Sequence, residues 1–389
     1  MRTMKTLALG ALMAGALALP ALAEDGVTDT EIILGSHSAL SGPVSAWGVG
    51  ATEGARMRID EVNEKGGING RKIRLIVEDS QYQVPRAVQA ANKLINNDKI
   101  FIMMGALGTA HNNAVLGEQL GKGVPNIFPF TSARSMGEPH HPLKFVQFSS
   151  YYDQVRSAAK YFIEKEGKKK LCTMYQDTDF GHEIRDGLRD QAKAANLEVV
   201  AEASYGPTDT DFVAPVSKLK SAGCDYVAIG SIIRDSIQAV GTAKKLGWTD
   251  VVFVGQAASY DPIVAAAPGG LMEGFYSGTG MPYAYADTSS EEIKAWAAKY
   301  KQRTGQDANS AAQYSYVGTD VVLKALEAAG KDLTRAKFLA ALEAIKDYKP
   351  FFPGPTLGFS KDKHFGTNAS FLAKVEGGRW KVVMENIVY

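Results

Sequence analysis

Cysteine is nearly absent from this chain, with only Cys172 and Cys224 among 389 residues. That is too few for a fold framed by disulfides. Each cysteine opens an expected strand, in KKKLCTMYQD and CDYVAIGS. A bridge between them demands close and well-directed Cβ atoms, so two buried thiols are the expectation. Charge of one sign is also missing. The 43 basic and 42 acidic residues leave a net charge of +1, which gives no electrostatic footprint for nucleic acid. The histidines His37, His111, His140, His141, His182 and His364 stand at no metal-ligand spacing from carboxylates or cysteines. There is no G-x-S-x-G elbow, no P-loop and no zinc-protease motif, so the case for an enzyme is weak and an ATPase is excluded. Solenoid periods and low-complexity segments are lacking too.

Apolar runs of membrane-spanning length are missing after the first 23 residues. That opening is itself the pattern of a secretory leader. Arg2 and Lys5 precede an apolar stretch from Leu7 to Leu19, and Ala21-Leu22-Ala23 is an A-x-A cleavage site. The mature chain is expected to begin at Glu24, to carry a net charge of −1 once the two basic residues are removed, and to reside in the periplasm. Its length exceeds what one hydrophobic core usually spans, so two domains are expected.

What is present is a repeated strand–helix alternation. EIILGSHS is an apolar strand, followed by the loop Ser41 to Gly48. A helix then carries Ala51, Ala55, Ile59 and Val62 on one face, Gly66-Gly67 ends it, and KIRLIVEDS is the next strand. Two strands joined through such a helix are parallel, with a right-handed crossover. Further strands are expected at KIFIMMGALG, VPNIFPF and KFVQFSS, with helices from Pro85, Thr109 and Asp153. A second series begins at Lys168, and the tail FLAKVEGGRWKVVMEN reads as an antiparallel hairpin. Two βα series imply two doubly wound sheets, an α/β class, and ligands lie beyond the carboxyl ends of such strands. Gly48, Gly50 and Gly54 give G-x-G-x-x-x-G, one residue too long for the dinucleotide fingerprint, so no cofactor is expected.

The stretch SGPVSAWGVGATEGARMRIDEVNEKGGINGRKIRLIVEDS, with its GP–aromatic–G loop and NEKGGINGRK turn, resembles the opening of the leucine/isoleucine/valine-type receptors of ABC importers. These are the branched-chain amino-acid and amide-binding members of the type I periplasmic substrate-binding proteins. The resemblance implies a type I periplasmic-binding fold of two lobes joined by three hinge crossings, near Phe148, Tyr283 and Pro353. The first lobe would comprise 24–148 plus 282–352, and the second 149–281 plus 353–389. It also implies a monomer that binds a small-molecule carboxylate, with the membrane permease and ATPase subunits of an importer as partners.

Strand ends supply the site residues. The parallel-sheet rule places Trp47 at the mouth. Gly108 and Thr109 follow the third strand, and Phe130, Thr131 and Ser132 follow the fourth. Thr109 suits an N-cap, and the same helix terminus suits a carboxylate. In the family resembled, matching positions hold the ligand carboxylate. Its amino-acid receptors hold the ammonium with a glutamate, where this chain has Ala257, assisted by a tyrosine matched by Phe180. Two other aromatics are replaced by Ile232 and Ala312. An enclosed ammonium without a carboxylate is costly, so an aromatic acid is expected instead. An amino-acid or amide receptor remains open if Asp177 or Asp179 takes the ammonium. Arg234 offers a fork for a carboxylate, although an exposed arginine beside Asp235 is the plainer reading. Tyr152, Tyr283 and Tyr314 are further cleft candidates or core fillers.

Overall fold

The computed structural model describes residues 24–389, so the leader expected at 1–23 lies outside the described residues. The first sheet is built from β1 (Glu31–Ser38), β2 (Lys72–Asp79), β3 (Ile102–Met104), β4 (Asn126–Ile127) and β5 (Lys144–Phe145). Its order is β2-β1-β3-β4-β5 and every pairing is parallel. The helices α1 (Ser45–Glu64), α2 (Val84–Asn92) and α3 (Thr109–Gly121) make its crossovers. Gly48 and Gly54 are explained by close approach. A Cβ on Gly48 would lie 2.0 Å from the Ala39 carbonyl oxygen, inside any real contact distance.

The chain then enters the second lobe. It runs through α4 (Tyr151–Lys165), β6 (Leu171–Gln176), α5 (Asp179–Ala194), β7 (Val199–Tyr205), α6 (Val213–Ser221) and β8 (Tyr226–Gly230). It continues through α7 (Ile233–Lys245), β9 (Val252–Gly255), α8 (Pro262–Ala265) and β10 (Tyr276–Thr279). It recrosses for α9 (Glu291–Thr304), α10 (Ser310–Ala329) and α11 (Arg335–Glu343), and returns for the hairpin β11 (Ser370–Glu376) and β12 (Arg379–Ile387). The second sheet has the order β12-β11-β10-β9-β8-β6-β7, antiparallel only at β10–β11 and β11–β12. Helix α10 lies against α1 in the first lobe, where Arg58 Nε donates to Asp320 Oδ1 at 2.8 Å. A Cβ on Gly54 would lie 2.2 Å from the Ala312 carbonyl oxygen.

The result is the type I periplasmic-binding architecture, and its three crossings run side by side. Ser370 Oγ donates to Ser149 Oγ at 2.9 Å, and Gly280 abuts the Phe148 side chain. The last crossing differs from the expected place near Pro353. Strand β5 has a free edge, and the residues around Phe365 fill it. Val146 N–H donates to the His364 carbonyl and Gly366 N–H to that of Val146, both at 2.9 Å. Phe359 packs on Phe128 and Phe145. An edge strand presents unpaired backbone groups, so this pairing holds the segment on the first lobe. The chain crosses only between Gly366 and Ser370.

The cysteines also depart from expectation, because Cys172 and Cys224 form a disulfide with Cα atoms 5.9 Å apart. β6 and β8 are adjacent parallel strands, which puts the two amino-terminal ends within bridging distance.

Asp261 ties the lobes near the second crossing. Its Oδ1 accepts from Ile263 N–H at 3.0 Å and its Oδ2 from Ser310 N–H, at the start of α10, at 3.2 Å. Full burial pushes its carboxyl up to about 7, against those two hydrogen bonds. A carboxyl whose folded pKa exceeds its unfolded value stabilises the fold below the unfolded value, about 3.9, and loses that contribution as pH rises through the folded one. Asp261 should therefore make the protein about 2 kcal/mol less stable at pH 8 than at pH 5. The buried His37 works in the opposite sense, since burial holds it near 3. Denaturant unfolding of wild type and Asp261→Asn across that range isolates the effect. Equal pH slopes in the two proteins would refute it.

Candidate functional site

Where the two lobes face each other, the carboxyl ends of β3 and β4 meet the amino ends of α4, α5 and α7 around a cavity. The room available to the centre of a water molecule is about 70 Å³. The cleft is closed at its lip. Asn113 Nδ2 donates to Asp179 Oδ2 at 2.8 Å, and both the backbone N–H and Nε of Arg134 donate to Glu183 Oε1 at 3.0 Å.

One end of the cavity is polar. Gly108 precedes α3 with φ +98°, and a Cβ there would lie 2.4 Å from His111 Nδ1, so the turn requires glycine. Gly108 has no side chain to cap the helix, and Thr109 is the first helical residue rather than the cap. The first amides of α3 thus lack the side-chain acceptor that usually satisfies them. Thr109 Oγ1 lies 2.6 Å from Thr131 Oγ1, so one proton of the pair is used between them and the other is free. Tyr151 stands beside Thr131 and Ser132, and burial pushes its phenol up to about 12. Such a phenol remains a neutral donor at physiological pH. Amides, hydroxyls and a helix dipole gathered at one end suit an anion.

The remaining walls are apolar and largely aromatic. The Trp47 ring lies 6.3 Å from Phe130 and 6.4 Å from Tyr314, and Tyr151 meets Phe180 edge to face at 5.3 Å. The Trp47 indole N–H is buried with no partner among the described residues. Ile232 and Ala257 close the second-lobe side. Ala257 N–H donates to Gln154 Oε1 at 2.9 Å, which anchors the backbone where a carboxylate would otherwise project. Among the described residues, none that lines this cavity is charged.

Of the residues singled out from sequence, Trp47, Gly108, Thr109, Phe130, Thr131 and Ser132 from the first lobe line this space, with Phe180, Ile232 and Ala257 from the second. Tyr152, Arg234 and Ala312 do not. Tyr152 turns sideways, donating to Asp190 Oδ2 at 2.6 Å with the Arg134 guanidinium over its ring. Arg234 is spent on Asp235 Oδ1, at 2.7 Å, and on the Asp209 carbonyl. Ala312 is fully buried in the seam between α1 and α10. Tyr283 is likewise absent from the cavity, its hydroxyl donating to the Ala308 carbonyl at 2.6 Å, whereas Tyr314 lines it. Neither Asp177, paired with His182, nor Asp179, held at the lip, reaches the cavity wall.

Sequence reasoning missed Tyr82 and Tyr151. The signal for Tyr151 was the Ser150-x-x-Asp153 capping box, whose two hydrogen bonds start α4 at Tyr151 and not at Asp153. Tyr82 has φ +56° in a turn after β2 and stacks on His111, a placement that no local pattern signals.

A sequence profile of the periplasmic binding protein family matches residues 31–379. The Leu/Ile/Val-binding protein of Escherichia coli K12 is 28% identical over 241 residues, covering 61% of this chain and 64% of that protein. The match thus spans less than two thirds of that relative's length. A branched-chain amino-acid ABC transporter structure from Thermus thermophilus, with bound valine, superposes with a TM-score of 0.83 at 20% identity, covering 92% of this chain and 96% of that one. A solute-binding protein of an R. palustris ABC transporter, in complex with benzoate, does so with a TM-score of 0.80 at 18% identity, covering 92% and 97%.

Proposed function

Because the chain belongs to the periplasmic binding protein family, we propose that it is an extracytoplasmic solute receptor that captures a small aromatic carboxylate between its lobes. It delivers that ligand, as a monomer in the periplasm, to the permease and ATPase subunits of an ABC importer. The observation that carries the ligand class is the uncharged, aromatic-walled cavity with a helix N-terminus and paired threonines at one end. An α-amino acid would bury its ammonium against Ala257 with no carboxylate to meet it, a loss of several kcal/mol. A benzoate, hydroxybenzoate or phenylpropanoid needs only an anion site and flat walls. The benzoate-bound protein of the same fold is in keeping with such a guest.

A thermal-shift screen tests the reading. A ligand at a hundredfold excess over its Kd adds about 2.7 kcal/mol of stability. Benzoate-like or cinnamate-like acids are expected to raise the melting temperature by several degrees, with leucine, isoleucine and valine silent. A shift with leucine and none with any aromatic acid would overturn the proposal. At the anion end, Thr109→Val should weaken binding by about 1.5–3 kcal/mol, the usual contribution of a hydrogen bond to a charged group. The variant also gives up the buried Thr109–Thr131 hydrogen bond, so its apo form should stay folded but be about 1 kcal/mol less stable than wild type. Unchanged affinity in calorimetry would remove Thr109 from the anion site.

A further inference from the structure

Below the ligand cavity, between the first sheet and the layer of α1 and α10, lies a second, narrower cavity. Aliphatic side chains such as Leu75, Val77 and Met104 form part of its wall, and with them stand the hydroxyls of Ser38 on β1, Thr52 on α1 and Thr319 on α10. A lobe core at this depth is ordinarily filled by aliphatic side chains. Here Ser38 and Thr319 are 2% and 1% exposed, and neither hydroxyl has a partner among the described residues. Thr52 Oγ1 is occupied, donating to the Gly48 carbonyl at 2.8 Å. Buried hydroxyls left unpaired are costly, so the cavity is built for a polar guest. The room available to the centre of a water molecule is about 20 Å³, which admits one or two water-sized groups and no further ring. Among the described residues neither a charged side chain nor a helix N-terminus lines it, so it lacks the anion-binding groups of the first cavity and suits a neutral guest.

The two cavities share Phe128, Phe130 and Gln147 as walls. Gln147 Nε2 donates to the Tyr314 carbonyl at 3.1 Å, which holds that part of the partition in place. Phe130 is only half-buried, and Gly105 beside it has no side chain to restrain the ring.

We propose that this recess receives a small neutral hydrogen-bonding substituent of the ligand, a hydroxyl on the aromatic ring, through Ser38 and Thr319. The inference rests on the aromatic-carboxylate reading above and specifies which acids the receptor prefers. An apolar pocket discriminates weakly for or against an added hydroxyl, whereas a site with unpaired hydrogen-bonding groups rejects the analogue that lacks it.

Calorimetric Kd values for benzoate and for 2-, 3- and 4-hydroxybenzoate test this in wild type, Thr319→Val and Ser38→Ala. Valine has nearly the shape of threonine, and benzoate, with nothing to place in the recess, is the reference in each protein. At least one hydroxybenzoate should bind wild type tenfold or more tightly than benzoate, and Thr319→Val should cut that ratio severalfold. If wild type prefers benzoate to every isomer, the recess holds water only and the inference fails. If a preference survives both substitutions, it arises elsewhere and the inference fails too. Should benzoate and all three isomers fail to bind, the aromatic-carboxylate reading falls, and this inference with it. Benzoate binding without hydroxyl discrimination overturns the recess alone.

Discussion

Ala257→Glu is expected to weaken binding of an aromatic carboxylate at pH 8 by a hundredfold or more. Ala257 is 7% exposed and lines the cavity beside Ile232 and Phe180. An introduced carboxylate would have no cation on the cavity wall among the described residues, and it would share the enclosed space with an anionic ligand. Burying a charge without its partner costs about 3–5 kcal/mol, and repulsion between like charges adds to that. Acidification should relieve the loss. Burial and a neighbouring anion both raise a carboxyl pKa, so the introduced group takes up a proton well above the usual range and the penalty fades toward pH 5. Ala257→Gln separates charge from bulk, since it adds a similar volume without ionising. Calorimetry of the two variants at pH 5 and pH 8 decides the matter. If the glutamate variant binds as the glutamine variant does at both pH values, the absence of charge at this position is not what selects the ligand.

The parts of this site that were legible from sequence share one cause. Thr109, Thr131 and Ser132 follow strand ends within a few residues, and Trp47 lies in the first turn of α1, the helix that follows β1. A parallel sheet gathers its strand ends, and the starts of the helices that leave them, at one edge whatever the details of each loop. The alternation of apolar runs and amphipathic stretches with glycine stops marked the strands and helices for the same local reason. Residues placed by resemblance fared according to whether register could be read. Phe180 and Ile232 lie at the starts of α5 and α7, which leave the carboxyl ends of β6 and β8, and reach the cavity, whereas Ala312 lies in the first turn of α10, which follows no strand directly and is turned by its contact with Gly54. Tyr152 shows how small the margin is. One residue on a helix is a turn of about 100°, and the capping box on Ser150 gives the cleft to Tyr151 instead. Arg234 was lost to its own neighbour, because Asp235 is fully buried and takes the guanidinium. The third crossing was misplaced because pairing of Val146 with Phe365 joins residues far apart in sequence. Such pairings leave no periodic mark.

The same long-range blindness hid the disulfide, and removing it should have the largest effect on stability. Cys172 and Cys224 are separated by 52 residues, a span that includes β7 and α6. Closing a loop of that length restricts the unfolded chain by about 4 kcal/mol in the chain-entropy account, and measured losses on removing such bridges are typically about 2–4 kcal/mol. Both cysteines are buried, so Cys172→Ala with Cys224→Ala also gives up some packing and should fall toward the upper part of that range. Ligand affinity should not change. The bridge joins the amino-terminal ends of β6 and β8, and the cavity lies past the carboxyl ends of the strands. Urea unfolding with and without a thiol reductant, for wild type and for the double variant, gives the comparison. Wild type should lose about 2–4 kcal/mol under reduction, while the alanine variant should be indifferent to the reductant. Identical wild-type midpoints in both conditions would mean that the two sulfurs are not bridged. A variant as stable as oxidised wild type would mean that the bridge constrains nothing the fold does not already hold.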